Sequence, residues 1–216
     1  MLPRIVSEIA ALGNGYRALV IDDGSDPPLQ IAPGAHLMVR LPANMGLGVC
    51  THIAFAHALR HGYAAAVRVD ADGQHRVQDV PRLVAALAGA DLVMGERTNQ
   101  AVGGGLDGFG RRLLKRYYSL LARALTRGAI SSDVNSGLFA VSPEAMRKLR
   151  SASFERFPEP EMFISAYRLG LRVTSVPVEQ QRRTEGRSSL DVFASVLMFF
   201  RFNVFALGQL LRRKGL

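Results

Sequence analysis

The stretch Val67-Arg68-Val69-Asp70-Ala71-Asp72-Gly73-Gln74-His75 decides how the rest of the chain is read. Ala65, Ala66, Val67 and Val69 make a short apolar run fit for a buried strand, and Asp70 and Asp72 follow where that strand ends. Gly73 permits a sharp turn just beyond. Two carboxylates one residue apart at a strand end act on the same small volume, because the chain is leaving the pleat there. Hard divalent cations such as Mg²⁺ and Mn²⁺ take oxygen ligands, commonly one or two carboxylates plus substrate phosphates. An isolated Asp-x-Asp is more often a solvated acidic turn, so its neighbours have to carry the argument.

Working outward, apolar residues at 2, 5, 6, 9 and 12 have a helical period, and Gly13 to Gly15 end that helix. Ala18 to Ile21 is a second short apolar run, again leading into acids, Asp22-Asp23-Gly24-Ser25-Asp26. Leu37 to Leu41 reads as a strand, and Asn44-Met45-Gly46-Leu47-Gly48 opens a helix expected from about 49 to 61. After the central motif come a helix from about 80 to 88 and a strand 91–94, closed by Gly95-Glu96-Arg97. This alternation predicts an α/β fold with a mostly parallel central sheet and helices on both faces. Ligands in such sheets sit at the carboxyl ends of the strands. The acids at 22–23 and 70–72 and the Arg97 turn all fall at those ends.

The second half reads differently. Residues 99–110 hold five glycines, at 103, 104, 105, 108 and 110, and are expected to form a loop. A basic helix follows at about 111–127, then Asp133-Val134-Asn135-Ser136-Gly137 before a strand 138–141, and a short helix begins at Pro143. Residues 160–169 read as a helix with Glu161 near its start, and 171–178 as a strand. The polar segment 179–189 carries Arg182, Arg183, Arg187, Ser188 and Ser189.

Composition narrows the field. A chain of 216 residues suits one domain, or a domain with an appendage. The net charge of +9 suggests an anionic partner: nucleic acid, an anionic membrane surface or a phosphorylated substrate. The single Cys50 has no internal disulfide partner and fits a reducing compartment. Residues 1–8 lack the basic and apolar segments of a secretory signal. His57 and His61, four apart, read as a solvated helix face, and Gly46 and Gly48 lack the Lys-Ser/Thr of a P-loop. The basic helix has Tyr117 and Tyr118 but little other aromatic surface for stacking bases, so no nucleic-acid partner is expected.

Taken together, the chain resembles the family 2 glycosyltransferases, and within them the branch of dolichyl- and polyprenyl-phosphate sugar synthases. The resemblance rests on Val20-Ile-Asp-Asp-Gly-Ser25, Asn44-x-Gly-Leu-Gly48, Val69-Asp-Ala-Asp-Gly-Gln-His75, Gly95-Glu-Arg97, Asp133-Val-Asn-Ser-Gly137 and Arg183-Thr-Glu-Gly-Arg-Ser188, in the family's order. It implies a GT-A-type nucleotide-diphospho-sugar fold and inverting, single-displacement sugar transfer. It further implies that Asp22 and Asp23 lie near the donor's base and ribose. Asp70 and Asp72 would hold Mg²⁺ or Mn²⁺ on the diphosphate of a UDP- or GDP-sugar, with Gln74 as a further ligand. Arg97 would face donor or acceptor, Asp133 and Glu161 the acceptor, and Arg183 and Ser188 would lie on a segment closing over phosphates. Glu161 alone is also an ordinary helix-start acid. The family opens with a strand ending in a Pro-x-x-Asn-Glu-type turn, and Met1 falls just after the place of that turn. The expectation is therefore a sheet lacking its first strand, with a neighbour's edge left unpaired.

Residues 192–211 contain twelve Leu, Phe or Val but also Arg201, Asn203 and Gln209. The apolar twelve contribute about −5 kcal/mol to membrane insertion, a central arginine alone about +3, and the two amides bring the sum near zero. Phe193, Val196, Phe200, Val204, Leu207 and Leu211 keep helical spacing, and Arg212, Arg213 and Lys214 follow. This predicts an amphipathic helix lying on an anionic leaflet, with packing on the protein's own core or in a homo-oligomer as the alternative. The expected division is a catalytic domain 1–189 and a membrane-associated helix 190–216. The expected function is metal-dependent transfer of a sugar to a polyprenyl phosphate or related lipid-linked acceptor, in the cytoplasm at the inner face of the cell membrane. A nucleotidyltransferase on a similar sheet, and a truncated, non-catalytic relic that binds a partner or membrane, are the other readings.

Overall fold

A computed structural model describes residues 1–13, 15–31, 34, 36–98, 106–130, 136–152, 159–181 and 192–211. Helix α1 (Leu2–Ala11) covers strand β1 (Ala18–Asp22) with Val6 and Ile9 against Ala18 and Val20. Strand β2 (His36–Arg40) pairs with β1 in parallel. Helix α2 (Leu47–Arg60) leads to β3 (Ala66–Arg68), and a 3-10 turn at Val77–Asp79 runs into α3 (Val80–Ala86). Strand β4 (Leu92–Arg97) is followed by α4 (Leu106–Leu125), β5 (Phe139–Val141) and α5 (Pro143–Leu149). Helix α6 (Glu159–Arg168), β6 (Val173–Val178) and α7 (Val192–Leu211) complete the order.

The sheet departs from the parallel expectation in two ways. Among the described residues it is divided into a two-stranded sheet, β1-β2, and a four-stranded sheet in the order β3-β5-β4-β6. Within the second, β4 and β6 are parallel, but β5 is antiparallel to both its neighbours. Alternating helices and strands predict parallel pairing only when each connection returns the chain to the starting end of the sheet. The connection through α4 delivers the chain at the carboxyl end of β4, so β5 has to run the other way. In consequence Ser136 and Gly137, which precede β5, stand at the carboxyl ends of β3 and β4. Ser136 Oγ donates a hydrogen bond to the Gly95 carbonyl at 2.5 Å.

Helix α4 begins at Leu106, five residues before the basic run, so 106–110 are not loop. Each glycine costs a helix about 1 kcal/mol, which twenty residues of continuous pairing tolerate at Gly108 and Gly110. The main core lies between the four-stranded sheet and the helices α2, α4, α5 and α6, built on Phe55, Leu92, Met94, Phe139, Met146, Met162 and Phe163. Phe202 and Ala206 of α7 belong to the same core, and Phe202 meets the Tyr118 ring of α4 edge-on. Tyr117 donates to Asn203 Oδ1, so an amide counted against membrane insertion is spent on joining α7 to α4. The other face of α7 is bare: Phe200, Val204, Leu207 and Leu211 are 57–78% exposed. Leu113 and Leu120 of α4 are about as exposed. Among the described residues no helix is long and apolar enough to cross a membrane.

Candidate active site at the carboxyl edge of the sheet

Asp22 ends β1, and its fully buried carboxylate accepts the amides of Ser25 (3.0 Å) and Leu29 (3.2 Å). The hydrogen bonds from Ser25 lead the influences that hold its pKa below the ordinary carboxylate value. Asp23 accepts the amides of Met45 (2.7 Å) and Gly46 (2.9 Å), ahead of the first turn of α2. Gly24 has φ +72°, and a Cβ there would stand 2.7 Å from the Ala43 Cα. The motifs at 22–25 and 44–48 are thus one structure: two carboxylates tie the loop after β1 to the start of α2. Sequence reading gave these acids to the donor's base and ribose, and this second, local task was not visible in it.

Asp70 lies two residues beyond the end of β3, with Asp72 and Gly73 in the turn that follows. The Asp70 Oδ1 accepts from Arg68 Nη2 at 2.9 Å and Nε at 3.2 Å, while Oδ2 is 3.8 Å from His75 Nε2. Burial pushes the Asp70 pKa up, but His75 and the Arg68 guanidinium outweigh it and hold the carboxyl well below its ordinary range. Gly137 is the wall behind it: a Cβ there would collide with the carboxylate, 2.7 Å from Cγ. Asp72 Oδ1 accepts the Gln74 amide at 3.0 Å, which shapes the turn.

Beyond the turn, His75 bridges to Gln180, and the Gln181 amide donates to the Gln74 carbonyl at 2.9 Å. The chain therefore stands beside the Asp-x-Asp turn one residue before the arginine-rich segment. Arg97 is the last residue of β4, in register with Val178. Glu159 and Glu161 occupy the first turn of α6, both at least nine-tenths buried. Asp133, Arg183 and Ser188 lie outside the described residues, so their expected roles are carried by the sequence alone.

The structure thus brings Asp70, Asp72, Arg97, Gly137 and the start of α6 to one edge of the sheet, with Asp22 and Asp23 at the same end of the smaller sheet. Sequence reading missed Arg68 and Glu159. Arg68 Nη1 forms an ion pair with Glu159 Oε1 at 2.6 Å. A visible signal was an arginine inside an otherwise apolar strand, which needs a buried partner.

As for a metal, among the described residues no three His, Cys, Asp or Glu side chains cluster to hold one. The donor set on the turn is the carboxylates of Asp70 and Asp72, the first held ionised. Hard oxygen donors of this kind fit Mg²⁺ or Mn²⁺ when a substrate diphosphate completes the shell.

Comparison with known proteins bears on the same region. The model of the family described as Glycosyl transferase family 2 matches residues 1–149. Undecaprenyl-phosphate mannosyltransferase of Micrococcus luteus is 29% identical over 186 residues, 80% of this chain and 75% of that protein. Polyprenol monophosphomannose synthase of Mycolicibacterium smegmatis is 28% identical over 205 residues, 88% of this chain and 76% of that protein. Among solved structures, glucosyl-3-phosphoglycerate synthase of Mycobacterium tuberculosis, in complex with Mn²⁺, UDP-glucose and phosphoglyceric acid, superposes with a TM-score of 0.67. It is 20% identical, and the match covers 96% of this chain and 74% of that one, a likeness of fold.

Proposed function

The chain belongs to glycosyltransferase family 2, and from that premise we propose that it moves a sugar from a nucleotide-sugar donor to a polyprenyl phosphate or related lipid-linked acceptor. The observation that carries the reading is the convergence of Asp70, Asp72, Arg97 and the acidic start of α6 on one sheet edge. In this reading Asp22 and Asp23 face the base and ribose side of the donor, and Asp70 and Asp72, with Gln74, hold Mg²⁺ or Mn²⁺. When bound, the cation stabilises the charge that develops on the departing nucleoside diphosphate.

The protein's own residues account for the rest. Arg97 and Arg183 suit phosphate oxygens because a guanidinium offers paired donors, and Ser188 adds a hydroxyl on the same segment. An alcohol acceptor needs a base, for which Glu161 and Asp133 are the carboxylates to hand. A lipid phosphate does not, because a monoester with a second pKa of about 6 is already largely ionised at neutral pH. The names of the two mannosyltransferase relatives favour the lipid phosphate, and inversion by single displacement is the course the family resemblance implies. The nucleotidyltransferase alternative yields to the family assignment.

Calorimetric titration with UDP and with GDP, each with Mn²⁺, tests the donor site. Metal-dependent binding of one nucleotide is expected, weakened about tenfold or more, some 1.4 kcal/mol, in Asp72→Ala. A folded chain that binds neither nucleotide would overturn the reading.

The acceptor side has its own test. In this reading the apolar outer face of α7 and the basic α4 beside it, with its exposed Leu113 and Leu120, rest on an anionic leaflet at the inner face of the membrane. Sedimentation with vesicles containing anionic lipid is expected to carry the protein down, and with neutral vesicles much less. Val204→Glu with Leu211→Glu alters two exposed positions of that face. It should cut the bound fraction about tenfold or more, since it removes apolar contact and adds like charge to the leaflet. Undiminished binding by that variant would remove α7 from the interface.

A further inference from the structure

We propose that Arg68 is a positioning residue that couples the donor carboxylate Asp70 to the start of helix α6, so that Glu159 governs donor affinity without touching the donor. The proposal rests on the reading of Asp70 as a donor-site group. Its basis is a chain of contacts. The Arg68 guanidinium gives Nη2 and Nε to Asp70 Oδ1, at 2.9 and 3.2 Å, and Nη1 to the ion pair with Glu159, at 2.6 Å. Its Cζ lies over the Phe139 ring, 5.7 Å from the ring centre, and Phe139 is its partner residue on β5. Phe139 in turn meets Phe163 of α6 edge-on, with ring centres 6.0 Å apart. Helix α6 is therefore held to the sheet twice, to β3 by charge at Glu159 and to β5 by the edge-on ring pair one helical turn on.

This arrangement does more than bury a charge. The side chain of Arg68 is 16% exposed and that of Glu159 11%, whereas Asp70 keeps 34%. The ion pair is shut away and the carboxylate it feeds faces outward. Behind Asp70 the Gly137 backbone closes off retreat. With Arg68 on Oδ1, His75 3.8 Å from Oδ2 and Gly137 behind, the orientation of Asp70 depends on where the guanidinium sits, and Glu159 fixes that end. Arginine is required, because a single ammonium point cannot serve two carboxylates from a planar fork. Glu161, the candidate acceptor base, shares the first turn of α6 with Glu159, so the same link sets the depth of the acceptor side.

The test compares the native chain with Glu159→Gln, Arg68→Lys and the double variant, by calorimetry with Mn²⁺ and whichever of UDP or GDP the native chain binds. Glu159→Gln keeps the shape of the side chain, so it folds even where Arg68→Lys is weakened. Each single variant is expected to lose about tenfold in metal-dependent nucleotide affinity, and the double variant no more than the worse single, because both break one link. A melting temperature lowered without loss of affinity is the signature of a merely structural ion pair, and would overturn the proposal while leaving the donor reading intact. Additive losses in the double variant would overturn it as well. Failure of the native chain to bind either nucleotide would remove the donor reading and this proposal together.

Discussion

Gly137→Ala is expected to abolish most donor binding while leaving the fold in place. No positive φ demands glycine there; the constraint is the Asp70 carboxylate, whose Cγ would lie 2.7 Å from the new Cβ. Asp70 has nowhere easy to go, because Arg68 holds its Oδ1 and β3 is registered against β5 at Ala66, Val67 and Arg68. Either the carboxylate swings away or the turn before β5 shifts, and the latter strains the Ser136 bond to the Gly95 carbonyl. Forcing extra volume into such a place costs typically 1–3 kcal/mol. Metal-dependent nucleotide affinity should fall about a hundredfold, some 2.7 kcal/mol, read by the same calorimetric titration. Gly89→Ala is the control, because a Cβ there would meet nothing within 4 Å. Affinity retained in Gly137→Ala would mean that Asp70 is no part of the donor site.

The largest effect on stability is expected at Arg68. Arg68→Met fills similar volume but leaves Glu159 and Asp70 without their shared cation. Removing one partner of a buried pair costs about 3–5 kcal/mol, because the remaining charge is left uncompensated. Burial already raises the Glu159 pKa even with the guanidinium beside it, so its charge is costly to leave alone. The expected cost is about 3 kcal/mol or more, seen as a lower urea midpoint at unchanged slope. Adding Glu159→Gln should restore part of it by removing the orphaned charge. A midpoint within experimental scatter of the native one would show that the pair contributes nothing net.

Much of the site was legible in the sequence because its signals are local. An apolar run followed by Asp-x-Asp-Gly reads as a strand end with two carboxylates, and the structure places Asp70 and Asp72 there. The order of helices and strands, and the helical stripe at Phe200, Val204, Leu207 and Leu211, followed from the apolar pattern, whereas that the stripe faces outward is visible only in the structure. The direction of β5 did not, because a list of elements says nothing about which end of the sheet a connection returns to. Sequence could rank Glu161 above Glu159 only by resemblance, since both are acids in one helical turn. Which of them reaches Arg68 depends on how α6 sits against the sheet. The local tasks of Asp22 and Asp23 were hidden for a related reason: their partners are backbone amides, which carry no residue signature.

The placement of β5 also bears on how the chain comes to be folded. It lies between β3 and β4, yet it is made later than either, so the four-stranded sheet cannot close until residue 141 is available, nor be completed before 178. From residue 97 until residue 141 is made, at about 5–20 residues per second, β3 and β4 have no strand between them and their facing backbone edges stay open. Unpaired edges are templates for pairing with other chains, and pairings between residues far apart in sequence form slowly. Expression at lower temperature, or with chaperones that shelter nascent chains, is accordingly the condition under which this protein should be recovered intact.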